Sequence, residues 1–81
     1  MDALRFGAIV RRLREARGWT RHKLAIRAGL SPQYVGVLEE GGNIASLTTA
    51  LDLAEVLGAD IAEITRELSV ARNTPRKAPE T

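Results

Sequence analysis

Cysteine is absent from all 81 residues, which removes both a disulfide framework and any thiolate metal site. A single histidine, His22, leaves no partner for a zinc cluster or an imidazole general base. It reads as a solvated surface residue, and neither a metal nor a cofactor is expected. No apolar run approaches the ~20 residues that a membrane-spanning helix needs. The opening stretch MDALRFGAIVRRLRE turns charged too early for the apolar core of a signal peptide. A cytoplasmic location and no membrane partner are the resulting expectations. Strand signals are missing as well, since no run alternates apolar and polar residues. Gly41-Gly42 lacks the Lys-Ser/Thr of a phosphate-binding loop, and no catalytic constellation is present, so an enzyme is not expected.

What remains is a chain with 44% hydrophobic and 27% charged residues, an ordinary balance for a globular domain. At this length one domain forms, burying about 60–65% of its unfolded surface. Its charge is unevenly placed. Residues 1–38 carry eight basic residues (Arg5, Arg11, Arg12, Arg14, Arg17, Arg21, Lys23 and Arg27) against two acidic ones, a net of +6. Residues 39–81 carry four basic and eight acidic residues, a net of −4. Such polarity suits one face turned toward a polyanion, the alternative being a mixed solvated surface.

Five helices can be placed. The first runs from Asp2 to Arg17, with Leu4 or Phe6, Ile9, Val10 and Leu13 at helical spacing and Gly18 as its stop. Thr20 caps a second, short helix with Leu24, Ala25 and Ala28 inward, ended by Gly29. Ser31-Pro32 is a cap followed by proline in the first turn, where its missing N–H costs nothing. The third helix continues to about Glu40 and buries Val35 and Leu38. Ser46 caps a fourth with Leu47, Ala50, Leu51, Ala54 and Leu57 inward, closed by Gly58. Asp60 and Glu63 form a capping box for the fifth, which carries Ile61, Ile64 and Leu68. Residues 1–69 are thus expected to be the folded domain. Residues 70–81, with two prolines and Arg72, Arg76 and Lys77, are expected to be a disordered tail. The fold class is all-α, a five-helix bundle. Trp19 is expected to plug the core between the first two helices, and Asp52, Glu55, Asp60, Glu63 and Glu67 to form a solvated face.

Two short helices joined by a Gly-containing turn have helix-turn-helix geometry. Ala25 is small where the two helices cross, and Gly29 makes the turn. Leu24, Leu30, Val35 and Leu38 supply the small core that sets the crossing, leaving Gln33, Tyr34 and Gly36-Val37 facing outward. The segments FGAIVRRLREARGWT, KLAIRAGLSPQYVGVLEEG and SLTTALDLAEVLG together resemble the Xre-type family, the Cro and phage-repressor-like helix-turn-helix proteins. The resemblance covers Phe6 to Gly58. The chain resembles small stand-alone regulators such as restriction–modification controller proteins.

That resemblance implies a third helix that enters the major groove of double-stranded operator DNA. The matching base-facing positions are Pro32, Gln33 and Val37, with Ser31 and Tyr34 nearby. A glutamine at position 33 can bond adenine N6 and N7 together, and Val37 or Pro32 can meet a thymine methyl. Arg21, where the family commonly has Gln, can reach a phosphate or a guanine edge. Lys23 is a candidate phosphate contact, as is Asn43 after the third helix. Arg14 and Glu39 match a recurrent ion-pair strut of the family. The chain departs from the family in Glu40, Gly36 and Ala45, where Arg or Asn, Ser and Pro are frequent.

Apolar residues in excess of one small core suggest a two-fold homodimer built on Leu53, Val56, Ile61, Ile64 and Leu68. The function implied is a dimeric repressor or autoregulator. Glu39-Glu40 beside a sparse reading face keeps open a protein-interaction module or an antitoxin on the same fold, with no protein partner identified.

Overall fold

The computed structural model describes residues 3–43 and 45–71, with side chains through residue 66. Among these, all regular structure is helical: α1 (Ala3–Ala16), α2 (Arg21–Ala28), α3 (Pro32–Glu39), α4 (Leu47–Leu57) and α5 (Ile61–Ala71). The helix starts lie where short polar side chains can serve orphan amides. Thr20 accepts from the Lys23 N–H, Ser31 from Tyr34 and Ser46 from Thr49, each at 3.0–3.1 Å. Asp60 accepts from Ala62 N–H at 2.9 Å. The expected capping box would have used the N–H of Glu63; the bond goes one residue earlier. α5 continues through Val70 and Ala71, past the expected start of the tail. The expectation of disorder over 72–81 lies outside the described residues.

Helix ends are equally local. Gly29 takes φ +71°, and the N–H groups of Gly29 and Leu30 return to the carbonyls of Ile26 and Ala25. This double closure satisfies the last carbonyls of α2 and reverses the chain toward α3. The same pattern ends α1 at Gly18 and α4 at Gly58.

α3 lies between α1 and α2, α4 packs on α2 and α1, and α5 closes on α1 and α4. Phe6, Val10, Leu24, Val35, Leu38 and Leu53 are the largest fully buried side chains. Each contributes about 1.5–3 kcal/mol by leaving water. Phe6, not Leu4, belongs to the core; Leu4 is exposed. Gly7 was not singled out by its sequence context, yet α1 meets α3 there. A Cβ at Gly7 would collide with the carbonyl oxygen of Leu38 and lie 2.8 Å from that of Glu39.

α4 departs from expectation. Its buried stripe is Ala50, Leu53, Ala54 and Leu57, whereas Leu47 and Leu51 are 72% and 43% exposed. The helix is apolar on most sides, so two stripes of helical period compete. Contact with α1, α2 and α5 selects the one containing Leu53. Ala45 also joins the core ahead of this helix.

Candidate nucleic-acid interface

The paired helices are built as their spacing implies. Ala25 and Leu24 of α2 and Val35 and Leu38 of α3 are buried together, with Leu30 of the turn packed against them. Ser31 Oγ is committed to capping Tyr34 N–H, which fixes the first turn of α3. From that turn Gln33 projects into solvent, and Val37, one turn on, is 41% exposed. Pro32 and Tyr34 are half-buried, Tyr34 against the core. Gln33 and Val37 therefore form a short outward row, i and i+4 on one helix face.

Gly36 does not belong to that outward face. It is buried beneath Arg21, whose Nη1 lies 3.1 Å from the position a Cβ would take. Arg21, the first residue of α2, thereby reaches the far end of α3. Its Nε donates to Glu39 Oε1 at 3.0 Å, and Nη2 lies 3.5 Å from Glu40 Oε2.

Behind α3, Arg14 of α1 grips the same carboxylate. Its Nε donates to Glu39 Oε2 at 2.6 Å and its Nη2 to Oε1 at 3.0 Å. Nη1 donates to the Trp19 carbonyl at 2.7 Å. The Glu39 side chain has no exposed surface. A forked guanidinium on a buried carboxylate is a strong, directional pair, and here it sets α3 against α1. Hydrogen bonding to Glu39 chiefly raises the Arg14 pKa, despite the opposing effect of burial. Arg14 stays charged.

Lys23 stands apart from this face. Residues two apart on a helix do not face each other, and Lys23 Nζ lies 5.9 Å from the Trp19 ring centroid. Arg27 and Arg17 approach the same ring at 5.0 and 5.3 Å. Trp19 is half-buried, packing against the edge of the core rather than plugging it, and carries this cationic fringe. Arg17 donates to the Leu57 carbonyl at 2.8 Å, tying the end of α1 to that of α4. Nothing in the local sequence signals that tie, which spans 40 residues. Asn43 is exposed in the loop after α3.

Of the residues expected at a dimer interface, Leu53 and Ile64 are 1% and 4% exposed within the single chain. Their apolar surface is consumed by the chain's own core, which corrects that expectation. Val56 and Ile61 are half-buried, and the side chain of Leu68 lies outside the described residues. Among the described residues no group of acidic or histidine side chains is placed to hold a metal. No described helix is long and apolar enough to cross a membrane.

Two short capped helices, a left-handed glycine turn and an outward row on the second helix define a helix-turn-helix DNA-binding protein. Known proteins agree. A helix-turn-helix domain family matches residues 5–67. The chain is 34% identical over 58 residues to the uncharacterized HTH-type transcriptional regulator y4dJ of Sinorhizobium fredii, covering 72% of this chain and 75% of that protein. Its fold is similar to the clp gene regulator ClgR of C. glutamicum, with TM-score 0.80 and 27% identity over 93% of this chain and 97% of that one. It is also similar to the restriction–modification controller protein C.AhdI of Aeromonas hydrophila, with TM-score 0.74 and 38% identity, covering 78% and 91% of the two chains. The chain belongs to the Xre-like helix-turn-helix family and is a DNA-binding transcriptional regulator, not an enzyme.

Proposed function

We propose that this regulator acts in the cytoplasm as a homodimer that represses transcription, its own included, by laying α3 in the major groove of a palindromic operator. The observation that carries this reading is the exposed Gln33–Val37 row on a helix clamped from behind by Arg14 and Glu39. A base-reading helix must present its side chains from a fixed frame, because hydrogen bonds to base edges weaken steeply with misalignment. Gln33 reads an adenine edge, Val37 and Pro32 meet thymine methyl groups, and Arg21 contacts the backbone. Asn43, exposed in the loop after α3, is a further backbone contact. The likeness to a restriction–modification controller protein supports a regulatory role.

Dimerisation follows from economy of recognition. One short row on one helix reads few base pairs, whereas a two-fold pair places two such rows ~34 Å apart, one DNA turn. Pairing runs through α5 and the adjacent edge of α4, where Val56 and Ile61 remain half-buried, with Leu68 further along α5. Footprinting on the DNA upstream of its own gene tests the whole reading. A protected, symmetric site whose occupancy falls steeply with salt is expected. An asymmetric footprint, or none, would overturn it.

A further inference from the structure

Three departures from the family pattern meet at one place. Arg21, Gly36 and Glu40 form a single cluster around the end of α3. The Arg21 guanidinium crosses α3 over Gly36, and a side chain there would push it away. Its Nε is held by Glu39. The Glu39 carboxylate is fully enclosed and already engaged by the fork of Arg14. One buried carboxylate thus serves two arginines; Glu15 stands 3.8 Å from Arg14 Nη2, and Glu40 is the second carboxylate at Arg21. The Glu40 side chain is 69% exposed and faces Nη2 at 3.5 Å. The Nε–Nη2 edge of Arg21 is therefore shared: Nε is anchored on the buried carboxylate and Nη2 is turned outward to the exposed one.

We propose that Glu40 occupies Nη2, the outward donor of Arg21, in the free protein, and that docking on DNA exchanges this carboxylate for a backbone phosphate. Glu40 is then a positioning residue that sets backbone affinity without touching bases. The inference rests on the reading that the α2 start and α3 face DNA. The exchange is feasible because an exposed ion pair of this kind is weak and screened by salt. It needs little motion, because the bond from Nε to Glu39 keeps the guanidinium in place. Its consequence is electrostatic. An arginine already matched by a carboxylate releases no net counterion when it meets a phosphate. In this chain Arg21 and Glu40 together add almost nothing to the salt dependence of binding.

A double-mutant cycle on the full chain tests this, using a short mixed-sequence duplex as the probe so that no operator need be known. Glu40→Gln should raise affinity about eightfold at about 0.1 M salt and steepen the log–log salt slope by about 0.9, the value of one phosphate contact. In the Arg21→Ala background the same substitution should change affinity less than about twofold and leave the slope unchanged, because no arginine remains to be released. Glu40→Asp should retain most of the unmodified behaviour. Glu40 is exposed, so thermal unfolding should be unaltered in Glu40→Gln, separating this role from a structural one. Equal gains in both backgrounds, or no gain in either, would overturn the proposal. If the unmodified protein binds the duplex without salt dependence, the DNA-face reading fails first, and the proposal with it.

Discussion

Arg14 and Glu39 stand 25 residues apart in the chain and are joined by two hydrogen bonds of 2.6 and 3.0 Å behind α3. Both residues are buried, so neither charge is replaced by water if its partner is lost. Arg14→Met should therefore destabilise the fold by about 3–5 kcal/mol, as should Glu39→Leu. The double substitution Arg14→Met with Glu39→Leu should recover a large part of that loss. Urea denaturation of the three variants measures the coupling. Purely additive losses would mean that the two side chains act independently.

Gln33 is the residue on which base preference should depend. A bidentate amide contact discriminates by about 1–3 kcal/mol per base pair. Gln33→Ala should relax preference at one position in each half-site while leaving the salt slope intact. Selection from a randomised duplex pool reads this directly. An unaltered consensus would place the reading residue elsewhere.

Two glycines on helices should respond oppositely to alanine. At Gly7 a methyl group meets backbone, the carbonyls of Leu38 and Glu39, which cannot withdraw. Gly7→Ala should cost on the order of 1–3 kcal/mol as α1 and α3 are forced apart. At Gly36 the methyl meets the tip of Arg21, a flexible side chain. Gly36→Ala should leave stability within about 1 kcal/mol, since alanine also favours the helix by about that amount. Its effect should appear in DNA affinity, because Arg21 Nη1, 3.1 Å from the added methyl, must shift beside Glu40. Melting curves and duplex titrations on the same two variants separate these outcomes.

Sedimentation tests whether the chain pairs through α5. The unmodified protein at micromolar concentration should run at twice the 8.8 kDa chain mass. Ile61→Glu should return it to the monomer, because a carboxylate in an apolar interface is costly to desolvate. A protein that sediments at the single-chain mass before and after substitution would remove α5 as the interface.

Local chemistry was largely legible in the residue order. Thr20, Ser31 and Ser46 cap their helices and Gly29 turns the chain because each of these bonds spans only a few residues. The helix-turn-helix could be recognised for the same reason: its small core lies within one continuous segment from Leu24 to Leu38. The Arg14–Glu39 strut was legible only through resemblance to a family, since nothing local joins those positions. Tertiary packing decided the rest. On α4, apolar residues on most sides permit two inward stripes, and only the neighbouring helices choose Leu53 over Leu47 and Leu51. On α5 it turns Ile64 into core, removing it from any interface. It also brings Arg21 across Gly36 to Glu39 and Glu40, and Arg17 to the last carbonyl of α4. Caps and turns close over a few bonds and are therefore specified by adjacent residues. Which face is buried, and which charges meet, depends on how helices cross, and that is settled only when all five pack at once.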